Sequence, residues 1–388
     1  MRRPIRSGWG APGDIETEEP QGMASSPMNT ERRRATIADV AREAGVSAAT
    51  AGRALGDYGY VREEIRERVR KAAEALGYRP NSLARSMITG RTNTIGVVGA
   101  DIANPFFASA MRGIGDVARQ EGFGTILTNS DEDVALEREA VGLLLQKQVD
   151  GIIVSPASPV ETGHLIEAAQ SGTPVVLLDR DVAGLTADAV LTDSVSASRT
   201  AVGHLLGLGH RRIAIIAELR TAHDKEWPNW IGSATEPDVQ MLMPSGARLL
   251  GYIQAHEAAG VPIDPALIRG TGSYDPATAR EQTLAALRLD PPPSAIFTVD
   301  NVMTHGAYQA CRSMGIRIPE DLSFVAYDDM EWMTFVEPNI TALSQPVYEM
   351  GKAAAEMLIR RLRSPDVEPA KRFLDTKLIV RGSTTAPR

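Results

Sequence analysis

The sequence predicts an α/β protein, with a small all-helical unit near the N-terminus and two α/β lobes behind it. Three observations carry this. From about residue 94 onward, short apolar runs rich in Val and Ile alternate with helical stretches, the pattern of parallel sheets covered on both faces. Residues 36–76 show helical periodicity and no strand. Aromatic residues are scarce at 5% while Ala, Gly, Val and Ile abound, which favours α/β layers over a β-sandwich. The length of 388 residues suits two or three domains.

Residues 1–34 are rich in Pro, Gly, Ser and Glu and lack periodicity, so a disordered extension is expected, with Met23 or Met28 as alternative starts. Thr36 precedes the stripe Ile37, Val40, Ala41 and Ala44, and Thr36 with Asp39 makes a capping box in which Asp replaces Glu. Gly45 ends that helix, Val46 turns inward, and Ser47 caps a second helix from Ala48 to about Leu55. Helix, tight Gly turn and second helix form a helix-turn-helix pattern, one shared by many helical hairpins. A third helix is expected from about Arg62 to Leu76, with Ile65, Val69, Ala73 and Leu76 on one face. The charges Arg66, Arg68, Arg70 and Lys71 lie on its other faces, either as a solvated surface or a basic one. Asn81 caps a further segment of about seven residues ending near Met87, too short to hold as a lone helix in water.

Charge is distributed unevenly. The chain carries −8 overall, but residues 31–91 hold 13 Lys+Arg against 8 Asp+Glu, a local excess of +5. A basic N-terminal unit on an acidic body points to nucleic acid at one end only. The single cysteine, Cys311, excludes an intramolecular disulfide and is expected to be a packed core residue. No run of about 18 apolar residues occurs, so no membrane-spanning helix is expected. Arg2, Arg3 and Arg6 have no apolar core behind them, so no secretory signal is expected either.

The run from Thr36 to Val97, with TIADVAREAGVS, VREEIRERV, LGYRPNSLARS and TNTIGVV in that order, resembles the DNA-binding headpiece and hinge of the LacI/GalR family of bacterial repressors. The resemblance extends to the C-terminus through GHRRIAII and LIVRGST. It implies residues 35–80 as a helix-turn-helix DNA-binding domain, 81–93 as hinge helix and linker, and 94–388 as a two-lobed effector-binding and dimerisation core. It implies Ala48–Leu55 as the recognition helix in the major groove, with Thr36, Ser47, Ala48, Ala49, Thr50 and Arg53 at the DNA. It also implies that Asn81, Leu83, Ala84, Arg85 and Met87 belong to a hinge that folds only on DNA, paired with its twin. Met87 stands where the family's wedge residue is usually Leu. Ala48 and Ala49 depart from the long polar side chains common at their positions, and Gly52 replaces the usual Ser. Alanine offers only a methyl contact to thymine, so direct readout falls on Thr50 and Arg53.

Beyond residue 94 the alternation predicts strands Ile95–Ala100, Gly124–Asn129, Gly151–Ser155 and Pro174–Asp179, with helices Phe106–Gln120, Val134–Gln146 and His164–Ser171 between them. A second set follows: helix Ser194–Leu208, strand Arg212–Ala217, helix Ala247–Ala259, strand Leu267–Gly270, helix Thr278–Leu287, strand Ala295–Thr298, helix Asn301–Met314 and strand Ser323–Tyr327. LIVRGST is expected as a final strand. The resemblance makes these two lobes a type I periplasmic-binding-protein-like core. Ligands in open α/β sheets sit beyond the carboxyl ends of strands. The effector candidates are therefore Asp101, Asn104, Phe106, Phe107, Asn129, Asp179, Arg180, Arg248, Tyr274, Asp300, Asn301 and Gln345. By resemblance Arg248 grips effector oxygens and Tyr274 stacks on a ring, while Gln345 lies on a crossing between lobes. Asp101, Asp131 and Asp193 are equally readable as helix caps, and Phe106 and Phe107 as core. The stretch Leu219–Gly246 is longer than the family's usual loop, and its Trp227 and Trp230 could lid the cleft or pack on the surface.

The function these readings imply is a sequence-specific DNA-binding transcriptional regulator, expected to be a repressor, controlled by a sugar or sugar-derived effector. Its partners would be a near-palindromic double-stranded operator and a second copy of the chain, in the cytoplasm of a bacterium and on the nucleoid when bound. No metal and no cofactor are expected. Activation instead of repression stays open, as does a nucleobase effector. A solute-binding receptor or a cleft enzyme on the same core are the alternatives, but the basic headpiece opposes the first. No Ser-His-Asp order, metal-ligand cluster or phosphate-cradling Gly loop supports the second.

Overall fold

The computed structural model describes residues 35–56, 59–78, 90–233 and 235–388. They fall into two compact units divided near residue 82. The expectations for residues 1–34, and for Asn81, Leu83, Ala84, Arg85 and Met87, lie outside the described residues.

Among the described residues the N-terminal unit has three helices, α1 (Ile37–Glu43), α2 (Ala48–Gly56) and α3 (Glu63–Ala75). The Thr36–Asp39 capping box forms as the sequence implies. Ser47 Oγ accepts from the Thr50 amide at 3.1 Å, so Ser47 caps α2. Gly45 takes a φ of +63°, which only glycine adopts freely, and this closes the turn between the two helices. Val40, Ala41, Ala44, Ala51, Ala54, Val61, Val69, Ala72 and Ala73 form the core. Leu76, expected on the packed face, is instead exposed, because α3 has ended at Ala75 and the chain has turned.

The larger unit is two six-stranded sheets. The first lobe holds β1 (Thr94–Gly99), α4 (Pro105–Gln120), β2 (Gly124–Asn129), α5 (Val134–Gln146), β3 (Gly151–Val154), α6 (Gly163–Gln170), β4 (Val175–Leu178) and β5 (Asp188–Thr192). The second holds α7 (Ser194–Gly207), β6 (Ile213–Ala217), the short α8 (Ala222–Lys225), α9 (Pro244–Ala258) and β7 (Ile268–Gly270). It continues with α10 (Pro276–Leu287), β8 (Ala295–Thr298), α11 (Asn301–Ser313), β9 (Ser323–Tyr327) and β10 (Thr341–Ser344). The chain then returns to the first lobe for α12 (Val347–Arg363) and β11 (Lys371–Leu374), and to the second for β12 (Lys377–Ile379). The strand orders are β11-β5-β4-β3-β1-β2 and β12-β10-β9-β8-β6-β7, parallel throughout except for β12. The chain thus crosses between lobes three times, after β5, β10 and β11.

Four expected elements match to the residue: β2, α5, β8 and β9. Five elements were not expected at all: the short α8, β10, β5, β11 and α12. β5 follows β4 with no helix between, so a strand-helix alternation passes over it. β11 is a charged, largely exposed edge strand, KRFL, without an alternating pattern. α12 has a legible apolar face of Met350, Ala354, Met357, Leu358 and Leu362, and it fills the first lobe against α4. LIVRGST forms a strand only over its first residues, within Lys377–Ile379.

Packing of α12 on α4 is backbone against backbone. A Cβ at Gly351 would lie 2.1 Å from the Ala110 carbonyl oxygen, and one at Gly113 would lie 2.2 Å from that of Tyr348. Gly351→Ala is therefore expected to cost at least about 1–3 kcal/mol, through a forced separation of the two helices. Gly115→Ala meets nothing within 4 Å and should be neutral or stabilising. Thermal melting of both variants checks this; equal melting temperatures would contradict the contact.

Candidate functional site: the cleft between the lobes

The carboxyl ends of the strands in both lobes bring a dense polar array together. Five of the seven described non-glycine residues with positive φ stand just past these ends: Asp131 and Glu132 after β2, Asp179 after β4, Leu219 after β6 and Asp328 after β9. Non-glycine residues held there store strain that packing must offset, and such strain gathers at binding sites.

Direct hydrogen bonds span the cleft. Asn104, which caps α4 through the Phe106 amide, donates from Nδ2 to the Tyr274 hydroxyl at 2.8 Å. Its Oδ1 accepts from Asn301 Nδ2 at 2.7 Å. Arg180 grips Glu132 with two bonds of 2.6 Å, and Arg220 of the second lobe reaches the same carboxylate at 3.2 Å. Arg220 also faces Glu218 at 3.3 Å. At the hinge, Thr192 donates to Gln345 Oε1 at 3.0 Å, and Gln345 Nε2 donates to Asp328 at 2.7 Å. Gln345 therefore does lie on a crossing and ties two of the three together.

Arg248 is 5% exposed. It is carried on α9, which is buried over most of its surface. Its guanidinium donates to the Val299 carbonyl at 2.6 Å and stacks over the Tyr327 ring, 3.8 Å from the centroid. Burial opposes its charge, but Tyr327, Asp328, Asp179 and Asp300 together raise its pKa above the ordinary arginine value. Burial likewise pushes up the carboxyls of Asp179, Glu218 and Asp328. It takes Asp300 to about 7, despite the bond from the Met303 amide that this residue accepts as cap of α11. Glu132 is the exception: burial raises it, but Arg180 and Arg220 outweigh that and hold it below the usual range.

Beside this array lies a cavity of about 240 Å³, lined by Asp179, Arg180, Thr192, Leu242, Ala247 and Phe373 among others. That is below the roughly 300–1,000 Å³ of pockets for drug-sized ligands, and suits a single small ring. One wall, with Val239, Gln240 and Leu242, comes from the long stretch after β6. Gln240 Nε2 donates to Asp181 of the first lobe at 3.0 Å.

Several expected residues play other parts. Phe106 and Phe107 are 6% and 3% exposed and belong to the first lobe's core, meeting edge to face. The first turn of α4 points both rings into the lobe, which is the core alternative the sequence left open for them. Asn129 is used locally, accepting from the Ile102 amide and bonding Asp131. Asp101 holds its own turn through the Ala103 amide. The tryptophans take neither of the two roles left open for them, lid or surface. Trp230 is 8% exposed within the second lobe's core and Trp227 packs against that core. The stretch is ordered by buried Asp224, which accepts from the Thr221 and Met243 amides. Glu132, Glu218, Arg220, Tyr327 and Asp328 were missed. Glu218 and Asp328 directly follow strand ends, so the rule that selected Asp179 could have found them. Cys311 is buried and its thiol is pushed up to about 12, as an inert core residue requires.

Among the described residues no group of three or more His, Cys, Asp or Glu is placed to hold a metal ion, and no helix is long and apolar enough to cross a membrane.

The raised Asp300 carboxyl has a consequence for stability. Its folded pKa of about 7 exceeds the ordinary 3.8, so the native state holds a proton that the unfolded chain releases between about pH 4 and 7. Its contribution therefore falls as pH rises through that window. Asp300→Asn keeps the cap oxygen and removes the titration. Its stability relative to the parent should rise from pH 4 to 7 and then level off, as read by urea unfolding across pH; a constant difference would contradict the buried, protonated carboxyl.

Comparisons with known proteins agree with this architecture. The profile for bacterial regulatory proteins of the lacI family matches residues 36–81. That for periplasmic binding proteins and the sugar binding domain of the LacI family matches 92–227, and that for a periplasmic binding protein-like domain matches 202–384. The chain is 32% identical to the HTH-type transcriptional repressor CytR of Escherichia coli K12, over 91% of this chain and 97% of that protein. Among solved structures it is similar to the transcriptional regulator CelR in complex with cellobiose, with a TM-score of 0.64 and 28% identity, covering 90% of this chain and 100% of that one. A LacI family regulator from Enterococcus faecium with bound ribose gives a TM-score of 0.63 and 29% identity, covering 76% and 100%. The relatives are regulators and not enzymes. With a helix-turn-helix unit, a two-lobed core and this identity along nearly its whole length, the chain belongs to the LacI family of bacterial DNA-binding transcriptional regulators.

Proposed function

We propose that this protein is a homodimeric repressor whose operator affinity is set by a small carbohydrate held between the two lobes. The observation that carries the reading is the set of cross-cleft bonds from Asn104 to Tyr274 and Asn301. A ligand whose hydroxyls enter that network changes the balance between lobe arrangements, and such differential contact is what effector control requires. In this reading Arg248, Asp179, Asp300, Asn301, Tyr274 and Asn104 contact the effector, with Arg180 and Gln345 positioning the lobes. The cellobiose and ribose complexes of the related regulators support a carbohydrate.

At the other end, Ser47, Ala48, Ala49 and Arg53 form the exposed face of α2, with Thr50 beside them. Ser47 and Thr50 hydroxyls lie 2.9 Å apart, which fixes Thr50 in place. Arg53 and Thr50 read base edges, Thr36 and Ser47 hold phosphates, and the two headpieces of a dimer demand a near-palindromic site. Asn81–Met87 acts as the hinge that forms on DNA. The working place is the bacterial cytoplasm, on the nucleoid when bound.

Gel shift with genomic fragments tests this. A specific complex whose affinity falls steeply with salt is expected. Arg53→Ala should weaken it by about 1–3 kcal/mol and relax selection at one base position. Replacing Asn81–Met87 by a Gly/Ser linker should abolish discrimination between operator and random DNA. A chain so altered that still selects its operator as well as the parent would defeat the hinge reading.

A further inference from the structure

The remaining two described non-glycine residues with positive φ lie away from the cleft: Asn93 at +50° and Gln148 at +55°. Asn93 directly precedes β1, and Gln148 stands in the turn between α5 and β3. After α4, α6, α7, α9 and α11 the same left-handed position falls to Gly122, Gly172, Gly209, Gly260 and Gly315, which adopt it freely. A side chain held there costs free energy, so its surroundings must over-determine the backbone.

The two strained residues belong to one clamp. Asp150 Oδ1 accepts from the Thr92 amide at 2.8 Å and from the Thr92 hydroxyl at 3.0 Å. Its Oδ2 accepts from the Asn93 amide at 2.8 Å. The Thr92 hydroxyl also lies 2.8 Å from the Gln148 carbonyl, so its one proton is shared between the two acceptors. The Asp150 amide donates to the Thr94 carbonyl at 2.8 Å, and the Gly124 amide donates to that of Asn93 at 2.8 Å. Arg91 Nη2 reaches the Leu362 carbonyl, in the last turn of α12, at 2.9 Å. These partners all belong to the first lobe. Amide bonds to a carboxylate are charge-assisted and stronger than neutral ones. Side-chain packing contributes less: Gly90 and Arg91 are exposed, and Thr92 and Asn93 are half-buried. A cavity of about 650 Å³, lined by Thr92, Gln148, Thr173 and Arg361 among others, borders the same stretch. Hydrogen bonds to Asp150 therefore decide where residues 91–93 lie.

Resting on the reading that lobe arrangement governs operator grip, we propose that Asp150 is a positioning residue for DNA binding, acting through Thr92 and Asn93. It ties the chain to the first lobe where β1 begins, so a turn of that lobe is passed on to the residues before Gly90. With the clamp removed, residues 90–93 gain freedom, and the orientation of the lobe no longer reaches the DNA-binding unit.

The full chain and three variants test this, with an operator fragment selected by the parent and random DNA of equal length. Asp150→Ala removes all three acceptor contacts, Thr92→Val removes the hydroxyl alone, and Thr92→Ser keeps it. Asp150→Ala is expected to bind the operator about tenfold or more weakly while its affinity for random DNA stays at the parent's value. Amide exchange at Thr92 and Asn93 quickens in the same variant. Thr92→Val loses operator affinity in the same direction and by less, at the parent's melting temperature, and Thr92→Ser matches the parent. If circular dichroism shows Asp150→Ala unfolded, Thr92→Val against Thr92→Ser decides alone. Operator affinity equal to the parent's in the folded variants overturns the proposal. So does an equal loss on operator and random DNA, which marks a clamp that serves stability only. A parent that forms no specific complex defeats the reading of lobe-controlled operator grip and this proposal with it, whereas a parent that binds beside variants that match it defeats the proposal alone.

Discussion

One buried positive charge sets the terms for the larger unit. Taking a guanidinium out of water costs several kcal/mol, and Arg248 is compensated from three directions: the Val299 carbonyl, the Tyr327 ring and nearby carboxylates. Those carboxylates do not belong to one lobe. Asp300 and Asp328 end strands of the second sheet, while Asp179 ends β4 of the first. The electrostatic surroundings of Arg248 are therefore complete only when the lobes meet. A ligand that alters them acts on the lobe arrangement directly.

The backbone around the cleft is built to serve this arrangement. Asp179 and Asp328 hold φ values of +70° and +67°, which cost free energy in non-glycine residues. The cost is offset by the fully buried strands that precede them, where almost every side chain is sealed in the sheet core. The rigid parts lie beneath the strained loops, and the three crossings join the lobes through Thr192, Gln345 and the turn between β11 and β12. In the proposed control, a ligand in the cleft acts on the lobe angle through these three crossings.

Much of this was legible in the residues. Capping pairs and apolar periodicity placed the helices of the headpiece, because Thr36, Asp39, Gly45 and Ser47 each have a local job that sequence displays. Strand-helix alternation placed the sheets, because parallel strands buried on both faces must be apolar runs. The rule that ligands lie past strand ends led to Asp179, Asp300 and Asn301, which the fold brings into one polar array. It failed where a side chain's partner is set by packing and not by position. Nothing local distinguishes Phe107, which turns into the core, from Asn104, which faces the cleft three residues earlier. Glu132 and Arg220 meet only because two lobes bring distant loops together. The tryptophans of the long stretch were open to a lid or a surface role by composition, yet they pack in the core, and the residues that reach the cavity are Val239, Gln240 and Leu242, held there by a buried aspartate whose partners sequence does not reveal.

The central claim is that lobe arrangement in the core governs the grip of the headpiece on DNA. Tyr274→Phe removes one cross-cleft hydrogen bond and leaves every residue of the headpiece unchanged. Fluorescence anisotropy with a labelled operator, alongside hydrogen exchange of the cleft, is the direct measurement. The account predicts that operator Kd moves by about fivefold or more, in step with altered exchange protection at Asn104 and Asn301. An unchanged Kd with clearly loosened lobes would contradict it.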